Sequence, residues 1–252
     1  MGVGEIYMPP SRREFLINAS AGVALATLSP DIFSFPTPEL PMKQPVPSAF
    51  AAIHESKPLP FDPSKLDGLS EKLIRSHWEN NYGGSVKALN TVKQRLAAAL
   101  LDADLPPFIY NDLKREHLMR AGSVVLHELY FSNLGGSGKP DVTLHEAFAE
   151  AFVSMDNWEK EFRRMGAGLG GGSGWVIFGY NLHTGLVENY WLWDHLHGPA
   201  ATLPLLVMDM YEHSYQMDYG ASAPAYIDAF FRNIQWNVVA TRWNNARKMR
   251  AI

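Results

Sequence analysis

Between residues 66 and 101 the apolar positions Leu69, Leu73, Val86, Leu89, Val92 and Leu96 recur at helical spacing. Gly83-Gly84 interrupts that run and predicts a kink or a split, and Pro106-Pro107 ends the region. A second helix is predicted over 111–134, with Val124, Val125, Leu129 and Phe131 on its apolar side and Gly135-Gly136 closing it. A third is predicted over 143–165, with Leu144, Phe148, Phe152 and Trp158 inward. After a glycine cluster at 167–174 the period changes. Residues 175–180 and 186–192 read as strands joined by a turn at 181–185, and 203–207 as a short buried strand. Helices are predicted over 210–219, 226–236 and 238–249. Helices first, then a small sheet, then helices again make an α+β protein. It divides into an N-terminal helical hairpin domain (59–140) and a C-terminal domain with a small antiparallel sheet flanked by helices (141–252).

Composition narrows the chemistry. Apolar residues make up 46% and charged residues 19% of 252, enough to bury a core and too few charges for disorder. A net charge of −4 offers no field for nucleic-acid phosphates. No apolar run is long enough for a stable membrane span. Cysteine is absent, which excludes disulfide scaffolds, thiolate zinc sites, iron–sulfur clusters and cysteine nucleophiles. Any metal must be held by His, Asp, Glu or Tyr.

The first residues read as an address. Ser11-Arg12-Arg13-Glu14-Phe15-Leu16 has the twin-arginine pattern, and the weakly apolar run 16–28 behind it is too short and polar to cross a bilayer. Ala24-Leu25-Ala26 is the candidate cleavage site of this signal, residues 1–28. Such export carries proteins already folded, so a metal is loaded in the cytoplasm, before copper or zinc outcompetes manganese or iron. A periplasmic or secreted location follows. Pro30, Pro36, Pro38, Pro41, Pro45 and Pro47 make residues 29–58 an extended tether, with the fold starting near Leu59.

The most informative segment is Asp209-Met-Tyr-Glu-His213-Ser-Tyr215. On a helix, residues four apart share a face, so Asp209 and His213 can share one metal ion or form an ordinary surface pair. His77 and His127 lie mid-helix, where a histidine is either a hydrogen-bonded core residue or a ligand. Periodicity does not bring these helices together.

Residues 58–249 resemble the iron/manganese superoxide dismutases. The resemblance rests on Leu59-Pro60-Phe61-Asp62 with Leu69-Ser70, on His77, and on His127 within Leu126-His-Glu-Leu-Tyr-Phe131. Gly172-Ser-Gly-Trp175, the Asp209–Tyr215 block and Pro224-x-Tyr226 through Trp236 complete it. It implies that His77, His127, Asp209 and His213 bind one manganese or iron ion, with water or hydroxide as fifth ligand. Such a set suits those metals better than soft ones. Superoxide would be the substrate, converted to dioxygen and hydrogen peroxide in two one-electron steps, with Asp209 accepting a hydrogen bond from the bound solvent.

Around those ligands the chain departs from the family. The channel tyrosine corresponds to Ser85, the channel histidine to Asn81, the tryptophan after the aspartate to Tyr211, and the tyrosine after the last ligand to Gln216. Asn81 and Gln216 can pair as amides but do not relay protons near neutral pH. Gly83, Gly84 and Ser85 predict a wider, wetter approach to the metal, unless neighbouring aromatic rings fill the gap. The family's donor to the bound solvent corresponds to His195, or by another count to Trp193, with His197 in reserve. Glu212, beside His213, implies a homodimer whose sites face its interface. His54, His117, His145 and His183 have no partner pattern and are expected at the surface. The substitutions keep open an alternative, a metal-binding relative that has lost dismutation or acts on peroxide or a small reductant.

Overall fold

A computed structural model describes residues 45–140 and 142–249. The twin-arginine motif, the run behind it and the tether as far as residue 44 lie outside the described residues. A helical turn, α1 (Ser48–Ala51), opens the described chain. The side chain of Ser70 then accepts from the Leu73 amide and caps α2 (Glu71–Ser76). A π-helical turn, His77–Tyr82, runs from α2 into α3 (Gly83–Ala99). The predicted break is therefore this turn, with the glycines starting the next helix. Pro106-Pro107 stops the chain and starts it again, Pro107 being the first residue of α4 (Pro107–Ser132). α3 and α4 pack as a hairpin through Val86, Leu89 and Val92 on one side and Val124, Tyr130 and Phe131 on the other. Val125, expected inward, is 53% exposed, because the helical turn that buries Val124 points its neighbour outward.

The predicted third helix is two: α5 (His145–Phe152) and α6 (Met155–Gly168). Val153 between them has φ +70°, and the hydroxyl of Ser154 caps α6 by accepting from the Asn157 amide at 3.2 Å. An N-cap inside the apolar pattern ended one helix and began the next. The sheet follows as β1 (Trp175–Asn181), β2 (Val187–Leu192) and β3 (Thr202–Asp209), antiparallel in the order β2-β1-β3. β1 is buried nearly from end to end, as a central strand covered on both faces must be. Its register sets Trp175 beside Asp209 on β3 and Leu192 on β2.

Beyond β3 a helix over 210–219 does not form. The chain makes a 3₁₀ turn, Glu212–Ser214, then a short α7 (Gln216–Tyr219), α8 (Ala223–Arg232) and α9 (Trp236–Ala246). Asp209 is thus the last residue of a strand, and its helical relation to His213 is corrected.

The hairpin and the sheet share one hydrophobic core, in which Leu89, Val124 and Phe131 join Phe148, Phe178, Met208 and Phe230. Polar side chains lock the two parts. Arg242 of α9 donates to Asn133 Oδ1 (2.5 Å), the Leu205 carbonyl (2.8 Å) and Ser132 Oγ (2.6 Å), and Asn133 donates to the Val207 carbonyl (2.9 Å). Burial lowers the Arg242 guanidinium to about 10. The end of the assigned tether is also tied down: the amide and carbonyl of His54 bracket the Asn90 side chain, both at 2.9 Å.

Candidate metal centre

Four elements meet at one point. The π turn after α2 carries His77, α4 carries His127, the end of β3 carries Asp209 and the 3₁₀ turn carries His213. One ligating atom from each lies within 4.8 Å of all the others. Oδ2 of Asp209 is the focus, 3.1 Å from His77 Nε2, 3.7 Å from His127 Nε2 and 3.2 Å from His213 Nε2. His77, His127 and Asp209 are buried, and the His213 side chain is 25% exposed.

The surroundings fix each group. The Asp209 carbonyl accepts from Tyr226 Oη (2.7 Å) and Ser214 Oγ (3.0 Å), and its Oδ1 accepts from the Tyr211 amide (2.9 Å). Oδ2 is left facing the imidazoles. His127 Nδ1 donates to the Ser123 carbonyl one helical turn back, at 2.7 Å. With the proton on Nδ1, Nε2 presents its lone pair to the cluster. The His77 ring is caged by Tyr130 and Phe131, with centroids 5.2 and 5.0 Å away.

Burial lowers the His77 imidazole below its ordinary range and holds that of His127 at about 3, so both are neutral near pH 7. Burial alone would raise the Asp209 carboxyl, but the imidazoles of His213 and His77 facing it outweigh that effect and hold the group below the usual carboxylate range. Both ring nitrogens of His77 and Nε2 of His127 are buried without a hydrogen-bond partner. Buried polar nitrogens are rarely left so. Three imidazoles turned toward one carboxylate oxygen, two of them with unmatched nitrogens, fit a single cation of the manganese or iron type.

Of the three candidates for the donor near the bound solvent, only His195 lies against the cluster, its ring 6.0 Å from that of His127. Its Nδ1 accepts from the Trp175 indole at 3.0 Å, which leaves the ring proton on Nε2. Burial lowers the His195 imidazole, so it too is neutral. Gly122 makes its placement feasible: a Cβ there would sit 2.0 Å from the His195 carbonyl oxygen. Trp193 is 62% exposed against Trp191, and His197 is an exposed partner of Asp194 at 3.0 Å. Tyr211 stacks between His195 and His213, with centroids 4.8 and 5.2 Å away.

Ser85 lines no open approach. It is buried, and its hydroxyl lies 2.8 Å from Ser123 Oγ, itself 3.3 Å from His127 Nδ1. At this residue the small side chain is matched by a second small hydroxyl, and the buried Tyr82 ring, an aromatic neighbour of the kind that would fill the gap, stands 6.3 Å from His127. Asn81 is half-buried, while Gln216 and Glu212 are exposed. Of the histidines expected at the surface, His54, His145 and His183 are exposed and His117 is half-buried. Sequence reasoning passed over Ser123, Tyr82 and Tyr130. The Ser123 signal was its place four residues before His127 on one helix face; the π turn that brings Tyr82 inward has no comparable signature.

A helical hairpin and a three-stranded antiparallel sheet closing three imidazoles and one carboxylate around a point define a mononuclear metalloprotein. Residues 140–242 match the model for the C-terminal domain of iron/manganese superoxide dismutases. A superoxide dismutase (Fe) of Cupriavidus metallidurans is 51% identical over 191 residues, covering 76% of this chain and 96% of that one. One of Aquifex aeolicus, also named for iron, is 35% identical, covering 78% and 94%; a superoxide dismutase (Mn) of Halobacterium salinarum is 28% identical, covering 77% and 96%. The chain belongs to the iron/manganese superoxide dismutase family.

Proposed function

We propose that this protein dismutates superoxide to dioxygen and hydrogen peroxide, with His77, His127, Asp209 and His213 holding one manganese or iron ion. Bound there, the ion supplies the one-electron redox cycle that oxidises one superoxide and, with two protons, reduces a second. The single observation that carries this reading is the convergence of the unmatched imidazole nitrogens on Asp209 Oδ2.

The chain's own residues have distinct tasks. Asp209 contributes the one negative charge, and the Tyr211 amide keeps its second oxygen out of the way. His195, fixed as the Nε2–H tautomer by Trp175, is the donor beside the site. Tyr211 covers His195 and His213 and limits water. Ser85 acts from behind His127, through Ser123. Asn81, with Gln216 of another copy, supplies an amide contact in place of a titrating pair.

Dismutation by purified protein, per metal ion counted by elemental analysis and followed across pH, tests the reading. A second-order rate of about 10⁸ M⁻¹s⁻¹ or more is expected. Full manganese or iron occupancy with no more activity than the free ion would overturn it, leaving a metal-binding protein.

Two further parts of the reading concern assembly and place. Two copies pair through Glu212 of one and His213 of the other, so Glu212→Ala should shift the sedimentation profile toward monomer; an unaltered dimer would remove that contact. The twin-arginine motif exports the chain, so replacing Arg12 and Arg13 together by Lys should retain it in the cytoplasm on fractionation. Undiminished export would refute the signal.

A further inference from the structure

The segment ahead of residue 58, where the resemblance to the family begins, runs along the hairpin in a defined track. Phe50 of α1 lies under the Lys114 ammonium of α4, 5.9 Å from ring centroid to nitrogen. The buried Lys93 of α3 donates to the Ala52 carbonyl and lies 3.4 Å from His54 Nε2. Asn90 of α3 is bracketed by the His54 backbone. The Lys57 amide donates to Tyr82 Oη at 2.8 Å, its carbonyl accepts from the Trp78 indole at 2.8 Å, and its ammonium pairs with Glu128 of α4.

The lengths agree with an extended strap. The steps from Ala52 to Lys57, at about 3.3 Å per residue, match those from Lys93 back to Tyr82 at about 1.5 Å per residue. Lys57 therefore reaches the end of α3 with its polar groups in register. There it grips Trp78, next in sequence to His77, and Glu128, next to His127. One residue thus bridges the two helical segments that bring the hairpin's histidines to the site.

These elements bury His77, His127 and Asp209, and of the four residues only His213 is partly exposed. We propose that residues 52–57 are a latch on the hairpin, which must undock for a metal ion to be taken up or released. The inference rests on reading the four converging residues as a metal site. The strap touches none of them directly. It governs the opening step common to uptake and release, and leaves the affinity of the closed site unchanged.

The absence of cysteine from the chain permits a direct test. In the full-length chain carrying His54→Cys and Asn90→Cys, a short bismaleimide joins only strap and α3. Uptake of manganese(II) by the metal-free protein, and its extraction by a coloured chelator, are timed before and after joining. Joining should slow both, and Lys57→Ala in the otherwise native chain, which removes an exposed ion pair but keeps the backbone bonds, should speed both by about two- to fivefold. The equilibrium affinity should stay the same throughout. Rates unmoved by joining, or a changed affinity with only release altered, would overturn the latch and leave the metal reading standing. A chain that takes up no ion would overturn both.

Discussion

Behind His127 sit two small hydroxyls, and their pairing predicts how each responds to removal. Ser85 Oγ and Ser123 Oγ are 2.8 Å apart in a buried space. Ser123→Ala leaves the Ser85 hydroxyl buried without that partner and should cost about 1–3 kcal/mol in urea unfolding. Removing both should cost less than the sum of the single losses, and additive losses would show the pair uncoupled. The imidazoles of His77 and His127 make a second prediction. Burial holds both folded-state values below the unfolded one of about 6.5, His127 at about 3. Below about pH 6.5 the unfolded chain binds protons that the folded chain refuses, so stability falls as the pH falls. Metal-free protein should therefore lose up to about 1.4 kcal/mol per pH unit through His127 between about pH 6.5 and pH 4 in urea titrations, with His77 adding a loss of the same sign. A flat profile would mean that these rings are not buried neutral.

At the scale of elements, the join between α5 and α6 is the least relaxed. Val153 is β-branched at φ +70° and 82% exposed, so its side chain supports nothing that offsets its backbone. Val153→Gly should raise stability by about 1 kcal/mol, which is ~2–4 °C in the melting temperature of a domain this size. An unchanged or lower melting temperature would put the strain elsewhere. The same join explains a misreading: Leu144, Phe148, Phe152 and Trp158 hold one helical period, so the pattern shows no boundary, whereas the cap that makes one is a single serine. The stretch after β3 failed differently. Its helical spacing was compatible with Asp209 and His213 sharing a face, yet Asp209 pairs in register with Trp175 and stays in the strand. Sheet pairing, a long-range interaction, overrode the local pattern.

Over the whole molecule, the helical part before the sheet and the part that begins with it must hold a fixed relation, because His77 and His127 come from the first, and Asp209 and His213 from the second. Arg242 links them through Asn133, Ser132 and the Leu205 carbonyl. Arg242→Ala leaves these acceptors buried and should cost about 3 kcal/mol in denaturant unfolding, with faster loss of metal to a chelator. Arg242→Lys, which keeps a charge but not the fork, should recover only part of it. No loss in the Ala variant would mean that the hydrophobic core alone sets the relation.

The sequence by itself determined the class of fold, and its resemblance to a known family implied all four members of the cluster. The fold class is written in the order of helical periods and strands; His77, His127, Asp209 and His213 were marked by motifs similar to that family's, whereas their spacing alone left each of them open to a plainer reading. It also excluded thiolate chemistry outright, since a missing residue type needs no structure to interpret. Only the tertiary structure places His195, and not Trp193 or His197, beside the cluster, because that placement depends on Gly122 admitting the loop backbone and on the Trp175 indole reaching Nδ1. It alone places Ser85 behind His127, through Ser123, and lays residues 52–57 along the hairpin. In each case the deciding contact joins residues more than twenty positions apart or packs one element on another. Local spacing carries no information about such contacts, whereas close packing fixes them.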